Sequence, residues 1–307
     1  MTTASAWMYV RAWGKNLWSI RAGSVFLSSF GALWLSVEIA AFFFAQTKVP
    51  DVIRGHWYIF AGGGVLIAFY WCRPRLSVSH RLNGRDVIIQ IAIGDVFKFP
   101  GALVVGTNRT FDTRISRELI SDRSVQGAFT RKYYGEETQL DAELTTGLAN
   151  EQGTPITSRR VGKTVAYPMG TVVRLNPRER TAYFLAIADI NEHGVASGTF
   201  DGLKDAMAKL WNFVASRGLK EEMVMPVLGT GFCRLPQPRE EVVRETVRSF
   251  VAACSERTFC GKLTIVLSPR DAVEHNISLD ELGLFVRHVC TYTEVARGSG
   301  APVGTAV

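Results

Sequence analysis

The sequence predicts an α/β protein in two parts. An N-terminal helical hairpin of transmembrane character comes first, followed by a domain built on a mostly parallel sheet with helices on both faces. Three observations carry that reading. Two long apolar runs, Ala22–Ala45 and Trp57–Cys72, stand near the N-terminus. Beyond them, apolar β-branched segments alternate with amphipathic helical ones, the strand–helix–strand rhythm of parallel sheets. Glycine, aspartate and asparagine residues gather directly after those strands, where such sheets hold their ligands.

The first run has 24 residues and a single charge, Glu38, enough helix to cross a hydrocarbon core of roughly 30 Å. The second has 16 uncharged residues with Trp57, Tyr58, Tyr70 and Trp71 at its ends, the aromatic edges of a short span. A cleaved signal peptide fits poorly, because the run is too long, lacks a small-residue exit and is followed by a second one. Arg11, Lys15 and Arg21 flank the entrance and Arg73, Arg75, Arg81 and Arg85 the exit, against Lys48 and Arg54 in the connecting loop. Positive residues stay cytosolic, so two spans with both termini in the cytosol are expected. Along the first run Ser24, Ser28, Ala32 and Ser36 recur every four residues, a stripe that permits close helix contact, and Gly63 lies in a bare triplet on the second. Glu38, costly inside a bilayer, is expected to face a partner or water.

Charge and cysteine content narrow the possibilities. Residues 1–81 hold eight Lys and Arg against Glu38 and Asp51, so most of the chain's net charge of +7 belongs to the membrane part. The remainder is nearly neutral. No basic face asks for nucleic acid, and the basicity points to anionic lipid headgroups. The five cysteines are odd in number and spaced for neither a disulfide framework nor zinc.

The soluble elements follow in order. Asp86–Ile93 and Ala102–Val105 read as buried strands. Residues 110–158 are polar and hard to read. Thr171–Leu175 and Tyr183–Ala188 form a hairpin across Asn-Pro-Arg-Glu-Arg-Thr. Asp201–Arg217 places Leu203, Ala206, Met207, Leu210, Trp211 and Val214 on one helical face, with Asp201 as the expected N-cap and Gly218 as the stop. Met223–Leu228 is a strand, Glu240–Ser255 a helix and Leu263–Leu267 a strand. Ser278-x-x-Glu281 is a capping box opening the last helix. The domain division is therefore a cytosolic segment 1–20, a hairpin 21–74, an α/β domain 82–295 and a small, polar, disordered tail 296–307.

The candidate site lies at the strand ends: Gly94-Asp95, Thr107-Asn108, Asp189-Ile190-Asn191, Gly229-Thr230-Gly231 and Ser268. Glycines after a strand let backbone N–H groups approach phosphate oxygens. This turn lacks the lysine of a P-loop and the third glycine of a dinucleotide fingerprint, which disfavours a kinase, ATPase or dehydrogenase. Asp95 is either a turn cap or the acceptor for an exocyclic amine such as that of adenine. Gln126-Gly127 is either an ordinary helix start or a second phosphate-approaching turn. Asn108 and Asp112 either bond ribose hydroxyls or shape a surface loop. No catalytic constellation, metal-ligand spacing or cofactor motif is present.

Taken together, Ile89-Gln-Ile-Ala-Ile-Gly-Asp95-Val96, Ala102-Leu-Val-Val-Gly-Thr-Asn108, Val125-Gln-Gly-Ala128 and Pro226-Val-Leu-Gly-Thr-Gly-Phe232 resemble a macro domain. The resemblance covers roughly residues 85–295. It implies a three-layer α/β/α sandwich with a mixed sheet that binds ADP-ribose or a derivative. It assigns Asp95 and Val96 to the adenine, Gly127 and Gly229 to Gly231 to the diphosphate, and Phe232 and Asn108 to the distal ribose. Hydrolytic macro domains carry a glycine run where this chain has Ser121-Asp-Arg-Ser-Val125, and a double Ala-Asn strand end where it has Gly-Thr-Asn108. The departures favour a reader of the ligand over an enzyme. A membrane hairpin joined to such a domain is similar to the effectors of type II Thoeris, a bacterial antiphage defence. That resemblance implies an inner-membrane protein that senses histidine–ADP-ribose made by a TIR-domain partner, assembles as a homo-oligomer and disrupts the membrane.

Overall fold

The computed structural model describes residues 14, 18–43, 55–73, 75–116, 119–157, 159, 161–191, 196–229 and 235–293. It divides into two compact units, Met1–Arg75 and Leu76–Val307. The tail expected at 296–307 lies outside the described residues, as do Arg11, Lys15, Lys48 and Arg54 of the orientation argument.

The first unit contains helices α1 (Ile20–Phe43) and α2 (Trp57–Trp71). Ala22–Phe43 is long and apolar enough to cross a membrane, with a mean hydropathy of 1.7. The second helix departs from the expectation of a full span. Its 15 residues rise about 22 Å, short of a hydrocarbon core of roughly 30 Å. The helices pack antiparallel through Phe26, Phe30, Leu33 and Trp34, whose rings and methyls lie against Gly64, Gly63 and Phe60. Gly63 is therefore used inside the pair. Ser24, Ser28, Ala32 and Ser36 are exposed, away from that contact, while Ala22, Val37 and Ala41 are buried. The Ser36 hydroxyl donates to the Ala32 carbonyl at 3.0 Å, which satisfies it within the helix. Glu38 is partly covered.

The second unit is a mixed sheet with strands β1 (Ser77–Arg81), β2 (Ile88–Ile93), β3 (Ala102–Asn108), β6 (Val172–Leu175), β7 (Ala182–Ile190), β8 (Ala196–Ser197), β9 (Met223–Pro226) and β10 (Lys262–Leu267); β4 (Thr154–Pro155) and β5 (Val165–Ala166) pair separately. The order is β1-β2-β10-β9-β3-β7-β6. The five central strands run parallel, and β1, β6 and β8 pair antiparallel at the margins. Central strands covered on both faces read as continuous apolar runs, which is why they were visible in the sequence.

Helices form the outer layers. On one face lie α5 (Phe200–Arg217), α6 (Arg239–Glu256) and α8 (Leu279–Tyr292), with Trp211, Phe250 and Phe259 packed edge to face and stacked between them and the sheet. The other face carries α3 (Val125–Tyr133) and α4 (Glu137–Gly147), where Phe129 meets Phe184 at 5.2 Å. A short helix α7 (Pro269–Glu274) follows β10. The result is the expected α/β/α sandwich. Helices α3 and α4 fall in the stretch that could not be read.

Several boundaries differ from expectation, two of them for a clear local reason. The N-cap of α5 is Thr199, whose hydroxyl accepts from Gly202 N; Asp201 sits in the first turn and pairs with Lys204 at 3.0 Å. Strand β9 stops at Pro226, which has no amide hydrogen to continue the ladder. Ser278 caps α8 as its spacing with Glu281 predicted, accepting from Glu281 N at 3.3 Å.

The thiols follow from the packing. Burial pushes Cys254 up to about 12 and Cys260 and Cys290 up to about 11. A buried neutral thiol is a poor nucleophile. Alkylating reagent at pH 8 is therefore expected to leave these three unmodified in the folded chain and to modify them in denaturant, as read by peptide mass spectrometry. Modification of Cys254 without denaturant would contradict the packing.

Candidate functional site

A cavity of about 540 Å³ opens beyond the carboxyl ends of the parallel strands. Its wall follows the sheet order: Asp95 after β2, Ser268 after β10, Gly229 after β9, Thr107 and Asn108 at the end of β3, and Ile190 at the end of β7. The first turn of α3 closes the side, through Ser124, Val125 and Gln126. The volume is that of a small-molecule site.

At the β2 end, the Asp95 carboxylate caps a short 3-10 turn, accepting from Phe97 N at 3.1 Å. One oxygen serves the turn, and the residue still lines the cavity beside buried Val96. Ser268 caps α7, accepting from Asp271 N at 3.1 Å.

The β9 loop turns at Gly229, whose φ is +72°; a side chain here would be strained and would strike Leu235. Thr230, Gly231 and Phe232 lie outside the described residues. At α3, Ser124 is the N-cap, and its hydroxyl accepts from Gly127 N at 3.0 Å. The sequence reading of Gly127 as a diphosphate contact needs correction. Its amide is used by the cap, it does not line the cavity, and a Cβ there would collide with the Ser121 carbonyl oxygen. Gly127 lets the helix start sit close on the preceding loop. The amides that head the helix at the cavity belong to Val125 and Gln126, where no earlier turn supplies carbonyl acceptors.

Asp112 is a second correction. It is 2% exposed and does not line the cavity. Its Oδ2 accepts from Arg159 Nη2 at 2.5 Å, from Thr110 Oγ1 at 2.6 Å and from Asn108 Nδ2 at 3.0 Å, and its Oδ1 from Lys163 N at 2.8 Å. This carboxylate organises loops and is closed to a ribose. Asn108 belongs to the same knot: its Oδ1 is engaged by Thr110 N at 3.1 Å and Asp112 N at 3.1 Å, although the residue borders the cavity. Gln126 ties α3 to the knot, donating from Nε2 to the Asp112 carbonyl at 2.7 Å. Sequence reasoning missed Arg159 because it lies far along the chain from Asp112.

It also missed two basic groups at the cavity, Arg123 and Arg239. Arg239 Nη2 lies 3.0 Å from Asp271 Oδ1. Asp271, Glu274 and His275 are close enough to share a cation, but Asp271 is already committed to Arg239 and Ser268, and the triad is mostly exposed. The site as a whole offers helix-head amides, a glycine turn, the Arg123 guanidinium, the Arg239–Asp271 ion pair and the Asp95 carboxylate at one end. That set suits an elongated anionic ligand with a polar ring at the β2 end.

Residues 89–268 match the family described as Thoeris protein ThsA, Macro domain. Thoeris protein ThsA of Bacillus amyloliquefaciens (strain Y2) is 24% identical over 163 residues, which are 52% of this chain and 53% of that protein. The chain thus spans about half the length of the curated relative it matches. Among solved structures, a mutant Oceanobacillus iheyensis macrodomain with ADPR superposes with a TM-score of 0.47 at 18% identity, covering 67% of this chain and 98% of the other. The same macrodomain with ADP gives 0.46 at 18% identity, covering 67% and 96%.

Proposed function

Because the chain belongs to the family of ThsA macro domains of the Thoeris system, we propose that it is a membrane-bound sensor of antiphage defence whose macro domain reads an ADP-ribose derivative. The observation that carries this reading is the single cavity wall on which Asp95, the Gly229 turn and the head of α3 follow one another. Adenine sits at Asp95 and Val96, the diphosphate between Gly229–Gly231 and the α3 amides, and the distal ribose near Asn108 and Phe232. The ligand is histidine–ADP-ribose, supplied by a TIR-domain partner. The protein acts as a reader and performs no chemistry on the ligand. In support, the Asn108 side-chain oxygen is taken up by the Thr110 and Asp112 amides of its own loop.

The output is at the inner membrane. Helix α1 spans it, and α2 completes the hairpin, its short core accommodated by local thinning and by the exposed Trp57, Tyr58, Tyr70 and Trp71 at its ends. Both termini are cytosolic. Ligand binding favours an assembled state, and the exposed Ser24, Ser28, Ala32 and Ser36 face meets other copies. Glu38 faces the same assembly or water.

Reconstituted vesicles test both halves. The 307-residue chain is expected to be stabilised thermally by ADP-ribose and to release entrapped dye when histidine–ADP-ribose is added. Exchanging Ser28 and Ala32 for leucine should keep the stabilisation and abolish release. Absence of any stabilisation would sink the sensor; release by the leucine variant at the parent rate would sink assembly through this face.

A further inference from the structure

Four charged side chains line the cavity among the described residues: Asp95, Arg123, Arg239 and Asp271. Two of them are joined to each other. Arg239 Nη2 lies 3.0 Å from Asp271 Oδ1, with the side chains 20% and 29% exposed. The second oxygen of Asp271 accepts from the Ser268 hydroxyl at 2.8 Å. The carboxylate is thus held from two directions, by the helix that follows β9 and by the strand end of β10.

The position of this pair is set by the sheet. The strand order β2-β10-β9 puts it between Asp95, beyond β2, and the glycine turn, beyond β9. On the ligand placement proposed above, on which this inference rests, those flanks are the base and the diphosphate. Between them lies the adenosine ribose. Carboxylates at that ribose accept a hydrogen bond from its 2′-hydroxyl, whereas an arginine there takes up a 2′-phosphate. This chain has both, and the guanidinium is held by the carboxylate.

We infer that the Arg239–Asp271 pair is a specificity filter that admits nucleotides with a free 2′-hydroxyl on the adenosine ribose and rejects their 2′-phosphorylated counterparts. A 2′-phosphate carries about −1.5 to −2 charges at neutral pH. It would face the Asp271 carboxylate, a like-charge juxtaposition. Arg239 offers no relief, because turning to the phosphate would leave Asp271 without its charge partner in a half-buried site. A hydroxyl meets neither penalty. The signal is thereby restricted to nucleotides built from NAD and closed to those built from NADP.

Calorimetry on the whole chain in detergent, with ADP-ribose and ADP-ribose 2′-phosphate as probes, tests the filter. The parent is expected to prefer ADP-ribose at least roughly tenfold. In D271N, which removes the repulsion and releases Arg239, the preference should fall to within about threefold through tighter binding of the 2′-phosphate. Adding R239Q to D271N should lose that gain while ADP-ribose still binds, which separates the effect from misfolding. ADP-ribose binding with no discrimination in the parent, or a D271N protein that binds ADP-ribose and keeps the parent preference, overturns the filter alone. A parent that binds neither probe overturns the functional reading and the filter with it.

Discussion

Replacing Asp112 with alanine is expected to destabilise the soluble unit by roughly 3–5 kcal/mol, because it strands a charged guanidinium in the interior. The Arg159 and Asp112 side chains are 1% and 2% exposed, and their contact is 2.5 Å. The same carboxylate also accepts from Thr110, Asn108 and the Lys163 amide, so three more donors lose a partner at once. For a domain of this size the loss amounts to a fall in Tm on the order of 10 °C. Exchanging both Asp112 and Arg159 for apolar residues should cost far less, since no buried charge remains without its partner. Thermal denaturation of the whole chain followed by near-ultraviolet circular dichroism reads the difference. A loss under about 1 kcal/mol for Asp112→Ala would mean that the pair is hydrated and does not organise the loops.

The second large effect belongs to Gly229. A valine there must adopt a φ near +72° and displace the Leu235 side chain that packs against the turn. Leu235 can give way, so the sheet should survive with Tm within a few degrees of the parent. The turn cannot keep its shape. Affinity for ADP-ribose should fall by roughly hundredfold or more, about 2.7 kcal/mol. Alanine, which costs roughly 1–2 kcal/mol in a left-handed conformation, should fall between the two. Unchanged calorimetric affinity in a folded Gly229→Val variant would remove the turn from the site.

Both residues illustrate what a sequence lets a reader see. The Gly229 turn was legible as a turn because a glycine directly after an apolar strand supplies the positive φ that ends it. The parallel strands were legible because burial on both faces leaves an unbroken apolar run. Asp112 looked like a ligand-facing polar residue because nothing near it in the chain announces Arg159, whose pairing depends on how two distant loops fold together. Gly127 belonged to the right motif for a different reason: the space it leaves is filled by the Ser121 carbonyl. Helix α4 stayed hidden because only Leu140 and Leu144 are buried on it, too thin a stripe for periodicity to reveal. Arg239 went unnoticed because its partner Asp271 lies 32 residues along the chain, brought beside it by the sheet order. The second apolar run was legible as a short helix, and its 15 helical residues confirm that length.

The strand order also bears on events at the ribosome. Strand β10 joins the Asp95 end of the cavity to the Gly229 end, yet it is synthesised roughly 190 residues after Trp71 closes the second apolar helix. At about 5–20 residues per second, some ten to forty seconds separate the two events. During that interval the two apolar helices are already complete, while the sheet still lacks the strand that links β2 to β9. The first unit is thus complete before the second can close. The cavity therefore closes late in synthesis, only when β10 inserts between β2 and β9.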